Sequence, residues 1–336
     1  MTAISIPVTE GSQVAEARRE LTAQARVLGF DETRTGTLAI LITEMAGNML
    51  KHGNGGELVA RPIGTTENAG IELLALDKGP GMHNVDACLR DGYSTAGSPG
   101  TGLGAIVRMS DESGIYSAPG AGTAVMARLH VNDAPGSDSI ALDVEGVSIP
   151  KRGEEECGDG WARVLEEDRS VVMVVDGLGH GPLAASAART AVETFLEYAD
   201  YEPGRIISIM HDALRSTRGA AVAVTEIDHR NHSARFAGIG NIAALIFSPE
   251  KTQRMISHNG IVGHEMRKVQ EFLYPWHADA LLVMHSDGIS THWSPENYAG
   301  ILHTHPSLVA GVIYRDFCRG RDDATVVTAM ESESWR

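Results

Sequence analysis

The sequence predicts an α+β chain in two domains, and three observations lead there. At 336 residues it has room for about two ordinary domains. Residues 132–139, Asn-Asp-Ala-Pro-Gly-Ser-Asp-Ser, are polar, turn-rich and without apolar periodicity, which is linker chemistry. Helix-patterned and strand-patterned runs alternate irregularly on both sides of it. The expected boundaries are 1–133 for the first domain, 134–139 for the linker and 140–336 for the second.

In the first domain, residues 14–28 read as a helix ending at Gly29. Residues 33–51 read as a second, with Leu38, Leu41, Ile42, Met45 and Met49 at helical spacing. Strand-like runs follow at 57–62 and 71–76. A glycine-rich loop, 97–104, leads into a short helix from Ala105, and strands at 115–117 and 123–131 close the domain. In the second domain, 161–165 and 170–175 flank Glu166-Glu167-Asp168-Arg169 as a hairpin. Residues 182–198 and 203–215 read as helices. A second hairpin pairs 220–227 with 234–237 around Asp228-His229-Arg230-Asn231, and 280–285 and 324–330 are further strands.

The net charge is −16, and 43% of residues are hydrophobic. Ten Lys/Arg face fifteen Asp/Glu up to residue 133, and eighteen face twenty-nine beyond it. That balance argues against nucleic acid or an anionic membrane as the main partner. No apolar run approaches the roughly 20 residues a membrane span needs. The N-terminus lacks a basic region followed by an apolar core, so no signal peptide is read there. Cys88, Cys157 and Cys318 are widely spaced and form neither a disulfide framework nor a metal-ligand pattern, so a reduced, cytoplasmic setting is expected.

Acidic residues at strand ends carry most of the chemical information. Val174-Val175-Asp176-Gly177-Leu178-Gly179-His180-Gly181 and His285-Ser286-Asp287-Gly288 each end an apolar run in Asp-Gly. Asp322-Asp323-Ala324-Thr325 opens another, and Asp159 sits in Cys157-Gly158-Asp159-Gly160. One Asp-Gly pair is ordinary turn chemistry. Four acidic sites converging from strand ends are a hard-cation pattern, since Mg²⁺ and Mn²⁺ take oxygen ligands. Asp322 and Asp323 are alternatives for one ligand position. Cys157, with no His partner nearby, reads as structural. Asn241, in Gly238-Ile239-Gly240-Asn241, has a doubtful role. His180 reads as a neighbour of the cluster or of its substrate. The stretch 300–306 reads as a His-rich surface, and Trp276 and Trp293 as packing residues.

These motifs, with Asn259-Gly260-Ile261-Val262-Gly263, make 142–330 resemble the SpoIIE-like metal-dependent serine/threonine phosphatases, relatives of the type 2C enzymes. The resemblance implies an α-β-β-α sandwich. It also implies Asp176 bridging two Mg²⁺ or Mn²⁺ ions, the Gly177 carbonyl on one of them, and Asp159, Asp287 and Asp322 or Asp323 around the second.

In the first domain Glu44, Asn48 and His52 share the polar face of the second helix. Asp77-Lys78-Gly79-Pro80-Gly81 ends a strand with a carboxylate and two glycines. Gly100-Thr101-Gly102-Leu103-Gly104 precedes a helix, where backbone N–H groups can approach phosphate. With Asp91-Gly92-Tyr93-Ser94-Thr95, these residues resemble the ATP-binding fold of gyrase, Hsp90, histidine kinases and MutL. Within it the likeness is to the small serine kinases that regulate anti-sigma factors. That likeness implies a mixed sheet with helices on one face and Mg²⁺-ATP as cofactor. It places Asp77 on the adenine, Asn48 on Mg²⁺, Gly79 and Gly81 among the cofactor-binding residues, Gly100, Gly102 and Gly104 at the phosphates, and Glu44 as general base. His52 has no role in it and reads as surface.

Together the resemblances imply a bifunctional bacterial regulator acting on phosphorylated Ser/Thr of a STAS-type, anti-sigma-antagonist protein, within a sigma-regulatory or sensory complex. The alternative is a first domain that binds ATP and a partner without phosphate transfer and gates the phosphatase. A phosphatase half that is only a scaffold is disfavoured by the intact acidic set. The sequence leaves the oligomeric state, a homo-oligomer included, open.

Overall fold

The structure is a computed structural model that describes residues 3–64, 68–89, 102–132, 142–248, 250–332 and 334–335. In chain order the first elements are β1 (Ile4–Val8), α1 (Gly11–Val27), α2 (Glu32–His52), β2 (Gly56–Ile63), β3 (Gly70–Asp77), α3 (Val85–Leu89), α4 (Gly102–Met109), β4 (Glu112–Ser117) and β5 (Thr123–His130). Then come β6 (Leu142–Ile149), β7 (Asp159–Leu165), β8 (Arg169–Gly177), α5 (Pro182–Glu197), α6 (Pro203–Ala213), β9 (Ala220–Asp228), β10 (Ser233–Ile239) and β11 (Ala243–Phe247). β12 (Thr252–Arg254), β13 (Phe272–Pro275), β14 (Leu281–His285), α7 (Pro306–Phe317) and β15 (Ala324–Glu331) complete the order. No helix among the described residues is long and apolar enough to cross a membrane.

The chain divides into two compact units. One comprises Met1–Asp138 and Ser294–Arg315, the other Ser139–Trp293 and Asp316–Arg336. The segment Ser294–Arg315, expected in the second domain, thus groups with the first, and the expected linker lies almost wholly outside the described residues.

The first unit is built on a sheet in the order β1-β2-β3-β5-β4. Every pairing in it is antiparallel, which corrects the expected mixed sheet. β3 explains the layering, because all eight of its residues are buried. Ile71, Leu73 and Ala75 pack into the core formed with α1 and α2. On the opposite pleat, Leu74 and Leu76 lie against Gly311 of α7. Helices therefore cover both faces of this sheet, not one. A strand buried on both sides needs its polar members paired, and Glu72 is. Its carboxylate takes Arg61 at 2.7 Å, Arg128 at 2.7 Å and the Ser307 hydroxyl at 2.7 Å, with no exposure of its own. Helix ends follow local chemistry. The Asp31 side chain caps α2 by accepting from the Arg34 N–H at 2.7 Å, and Gly53 ends that helix. At α1, the Gln13 side chain accepts from the Glu10 N–H at 3.0 Å.

The second unit packs two antiparallel sheets, β13-β10-β9-β8-β7 and β12-β11-β14-β15-β6. β8 shows how a fully apolar strand serves two layers. Val172 and Val174 face the second sheet, through Ile246, Leu282 and Val327. Val171, Met173 and Val175 face α5 and α6, through Ala188, Phe195, Ile206 and Met210. The expected hairpins are the β7–β8 and β9–β10 pairs.

Candidate functional site

In the second unit, the ends of β7 and β8 set the site. Asp159 opens β7 directly opposite Asp176, the penultimate residue of β8. Gly177 continues from Asp176, and its N–H donates to the Gly158 carbonyl at 2.9 Å. Asp159 is 7% exposed and accepts from the Ser286 hydroxyl at 2.6 Å. Ser286 in turn accepts from the Thr325 N–H at 3.0 Å, which ties the end of β14 to the start of β15. Asp287 follows Ser286, and its Oδ2 accepts from the Asn241 side chain at 2.7 Å.

Asp322 and Asp323 separate in kind. Asp323 is 2% exposed, and its two oxygens accept from the Lys151 N–H at 2.8 Å and the Gly158 N–H at 3.0 Å. It anchors the segment before β7. Asp322 is only half-buried, and its Oδ1 accepts from the Asp323 N–H at 3.0 Å.

Charge crowding is the main electrostatic fact. Burial first, then the carboxylates of Asp287, Asp322 and Asp323, push Asp176 up to about 7. Burial and the facing Asp176 raise Asp159 well above the carboxylate range. Asp323 is raised by burial against the pull of its two amides. Among the described residues, no three acidic, His or Cys side chains close into a ready chelating group. Burial and the mutual repulsion of the carboxylates both raise these pKa values, and an all-oxygen donor set of this kind fits a divalent cation.

The neighbours of the cluster are equally definite. Burial raises the Cys157 thiol, and the carboxylates of Asp159 and Asp323 raise it further, so it is an inert thiol. His180 Nδ1 is 2.6 Å from Glu154. Burial lowers His285, and the indole N–H of Trp293 donates to its Nε2 at 3.3 Å. Asn241 corrects the sequence reading, since it holds a carboxylate of the cluster directly.

In the first unit, α2 and β3 bring the other expected residues together. Asp77 ends β3 and is 8% exposed. Its Oδ1 accepts from the Gly79 N–H at 2.8 Å and the Thr123 N–H at 3.2 Å. Burial raises it against those two bonds. A Cβ on Gly53 would meet the Asp77 side chain at 2.6 Å, and one on Gly79 would meet the Gly53 backbone at 2.7 Å. Gly81 has φ +70°. A Cβ on Gly102 would come within 3.1 Å of Asn48 Oδ1 and 3.2 Å of Glu44 Oε2, so these two side chains converge on the start of α4. Asn48 Nδ2 is buried without a partner among the described residues. An orphaned amide donor beside a glycine cradle fits an anionic acceptor such as a phosphate oxygen. Gly104 is buried in α4. Gly100 and residues 91–95 lie outside the described residues, and His52 is exposed.

Two contributors had no signal in the sequence. Arg315 of α7 donates to the Asp77 carbonyl at 2.8 Å and the Ala121 carbonyl at 2.7 Å, clasping the strand ends that hold the Asp77 carboxylate. His305, expected on a His-rich surface, is 4% exposed, with Nε2 3.4 Å from Glu112.

The family model for a histidine kinase-like ATPase domain matches residues 6–129, and that for stage II sporulation protein E matches 166–329. The serine/threonine-protein kinase RsbT of Bacillus subtilis (strain 168) is 30% identical over 103 residues, covering 31% of this chain and 77% of RsbT. The phosphoserine phosphatase RsbX of the same organism is 22% identical over 143 residues, covering 42% of this chain and 72% of RsbX. Among solved structures, a chain described under the bacterial stressosome is 28% identical with a TM-score of 0.54, covering 56% of this chain and 98% of its own. RsbX in complex with magnesium has a TM-score of 0.51 at 18% identity, covering 59% of this chain and 98% of its own, and shows the same fold. With the Asp77 and Asn48 cradle in one unit and the strand-end carboxylates in the other, the chain belongs to the RsbT family of histidine-kinase-like ATPases through its first unit, and carries a SpoIIE-type serine/threonine phosphatase domain in its second.

Proposed function

We propose a bifunctional regulator of a partner-switching system. Its phosphatase removes phosphate from Ser or Thr of a STAS-type protein, and its ATPase-like unit binds Mg²⁺-ATP and phosphorylates a serine of the same class of partner. The observation that carries the phosphatase reading is the convergence of Asp287, Asp322 and Asp323 on Asp176, which lies across the strand pair from Asp159. Asp176, Asp159, Asp287 and Asp322 supply the carboxylates and Gly177 a carbonyl for two Mg²⁺ or Mn²⁺ ions. Asp323 is the anchor rather than the ligand, because both of its oxygens are engaged by backbone amides. When bound, such ions lower the pKa of a shared water and neutralise phosphoryl oxygens. Ser286 keeps Asp159 oriented, Asn241 keeps Asp287 oriented, and no side chain of the chain acts as nucleophile.

In the first unit, Asp77 accepts from the adenine amino group, Asn48 holds the metal ion, and Gly102 and Gly104 leave room for phosphate. Glu44, on the rigid α2 beside Asn48, takes the proton of the attacking serine hydroxyl. A second reading has a specific observation behind it. Ser294–Arg315 lies in the chain between Asp287 and Asp322, yet it belongs to the first unit, and its Arg315 binds the Asp77 carbonyl. On that reading the first unit binds ATP to gate the phosphatase and transfers nothing.

One experiment separates them. Protein carrying Asp287→Asn, which cannot erase the product, is incubated with labelled ATP and a STAS protein. Transfer that Glu44→Gln lowers by roughly 10²–10⁴-fold supports the kinase. ATP binding without any transfer supports the gate. For the phosphatase, Asp176→Asn is expected to abolish Mn²⁺-dependent hydrolysis of a phosphoserine peptide, and undiminished hydrolysis overturns the assignment.

A further inference from the structure

The Asp176-Gly177-Leu178-Gly179 loop has a cationic neighbour that the carboxylate scheme leaves unused. A Cβ built on Gly179, which has φ +87°, would lie 3.0 Å from Nη1 of Arg218. The guanidinium therefore rests against the loop two residues beyond the Gly177 carbonyl. Its backbone is fixed there. The Leu178 N–H donates to the carbonyl of Gly219, the next residue, at 3.0 Å. The Thr217 N–H donates to the Leu214 carbonyl at 2.9 Å, and the Thr217 hydroxyl accepts from the Gly219 N–H at 3.0 Å. Gly219 itself has φ +77°, a conformation that suits glycine and locks the turn. Arg218 is exposed, and among the described residues its guanidinium makes no ion pair or hydrogen bond.

An arginine presented by a locked turn beside an acidic site, and paired with none of its carboxylates, has its donors available to a ligand. We infer that Arg218 binds the phosphoryl group of the substrate at this site. The inference rests on the phosphatase reading and adds the group that the acidic set lacks. Carboxylates can hold cations but cannot hold phosphoryl oxygens, whereas a guanidinium offers paired N–H donors matched to two of them. In the hydrolysis, the water oxygen bonds to phosphorus as the bond between phosphorus and the serine Oγ breaks. The serine oxygen takes up the proton that the water gives up, leaving serine and inorganic phosphate. Negative charge gathers on the equatorial oxygens in that passage, and a guanidinium donor to them lowers the barrier.

The test uses the full chain with Mn²⁺ and three variants, Arg218→Ala, Arg218→Lys and Arg215→Ala. Arg215 is an exposed arginine three residues earlier that pairs with Asp212 at 3.1 Å, and it controls for the loss of one surface charge. Hydrolysis of a phosphoserine peptide and calorimetric binding of inorganic phosphate and of Mn²⁺ are measured. Arg218→Ala is expected to lower kcat/KM by about 10²-fold, the usual effect of removing one oxyanion donor. It should weaken phosphate binding and leave the Mn²⁺ isotherm unchanged. Arg218→Lys should recover part of both losses and Arg215→Ala should lose neither. Parental phosphate affinity in Arg218→Ala overturns the inference. So does a loss of Mn²⁺ binding in that variant, which would make Arg218 a brace for the metal loop. Phosphate binding is read without turnover, so a failure of the phosphatase reading itself, seen as hydrolysis that survives Asp176→Asn, is distinguishable from either result.

Discussion

Replacing Asn241 by Ala removes one hydrogen bond from the Asp287 carboxylate, a proposed metal ligand, and its size can be worked out. The bond from Asn241 Nδ2 to Asp287 Oδ2 is 2.7 Å, in the range of charge-assisted bonds. Hydrogen bonds to charged groups contribute about 1.5–3 kcal/mol net. Asn241 is exposed, so water competes for Asp287 once the amide is gone, and the lower end of that range applies. About 1.5 kcal/mol is roughly a tenfold change in an equilibrium constant. Outer partners of metal ligands characteristically cost about 10–100-fold when removed, and the two values agree. Asn241→Ala is therefore expected to raise the Mn²⁺ dissociation constant of the ion that Asp287 would hold about tenfold. It should leave kcat close to parental once Mn²⁺ saturates, because Asp287 is still present and only less well held. Isothermal calorimetry with Mn²⁺ and a metal titration of phosphoserine hydrolysis check both halves. Parental Mn²⁺ affinity would refute the reasoning. So would a drop in kcat that saturating metal does not restore, which would place Asn241 on the substrate.

Asp77→Asn is expected to weaken ATP binding about 10–100-fold by losing a charged acceptor for the adenine amino group. Gly102→Val should weaken it as well, since even a Cβ there lies 3.1 Å from Asn48 and 3.2 Å from Glu44; calorimetry with ATP reads both. Glu72→Gln strips the carboxylate from one buried and one partly buried guanidinium and should destabilise the first unit by about 3–5 kcal/mol, seen as an earlier thermal or urea transition. Glu112 gives a pH signature. Burial pushes its carboxyl up, but the hydrogen bond from His305 and the Arg128 guanidinium outweigh that and hold it at about 2, against an ordinary 4.5. A depressed carboxylate stabilises above its unfolded pKa and loses that contribution as pH falls through the folded one. The contribution should therefore fade between pH 4.5 and about 2, and Glu112→Gln should flatten acid unfolding in that window.

The acidic motifs were legible because strand-end Asp-Gly pairs are local in sequence and the residue type fixes the chemistry. The register that sets Asp159 opposite Asp176 follows from the β7–β8 hairpin, which the turn at 166–169 already signals. The choice between Asp322 and Asp323 was not legible, because it depends on which oxygens the Lys151 and Gly158 amides reach, and those amides lie more than 160 positions away. Asn241 read as doubtful in role for a related reason, since only the pairing of β11 with β14 brings it to Asp287.

The segment Ser294–Arg315 packs with the first unit although it lies in the chain within the second, and the cause is physical. Helix periodicity shows that a face is apolar without showing which sheet will cover it. α7 is apolar along nearly its whole length, as a helix closing any sheet would be. Its destination is set by polar groups that no periodicity measures. Glu72 is fully buried on β3 and needs donors from outside its own strand, and the Ser307 hydroxyl at 2.7 Å is one. The carbonyls of Asp77 and Ala121 accept from Arg315. The Glu57 carboxylate accepts from the Tyr314 hydroxyl at 2.8 Å. An apolar surface would accept many helices, but two carboxylates, a strand-end carbonyl and a turn carbonyl accept one that carries a hydroxyl, a phenol and a guanidinium in this order. The polar anchors make the docking of α7 specific, and they place it on the strand whose last residue is Asp77.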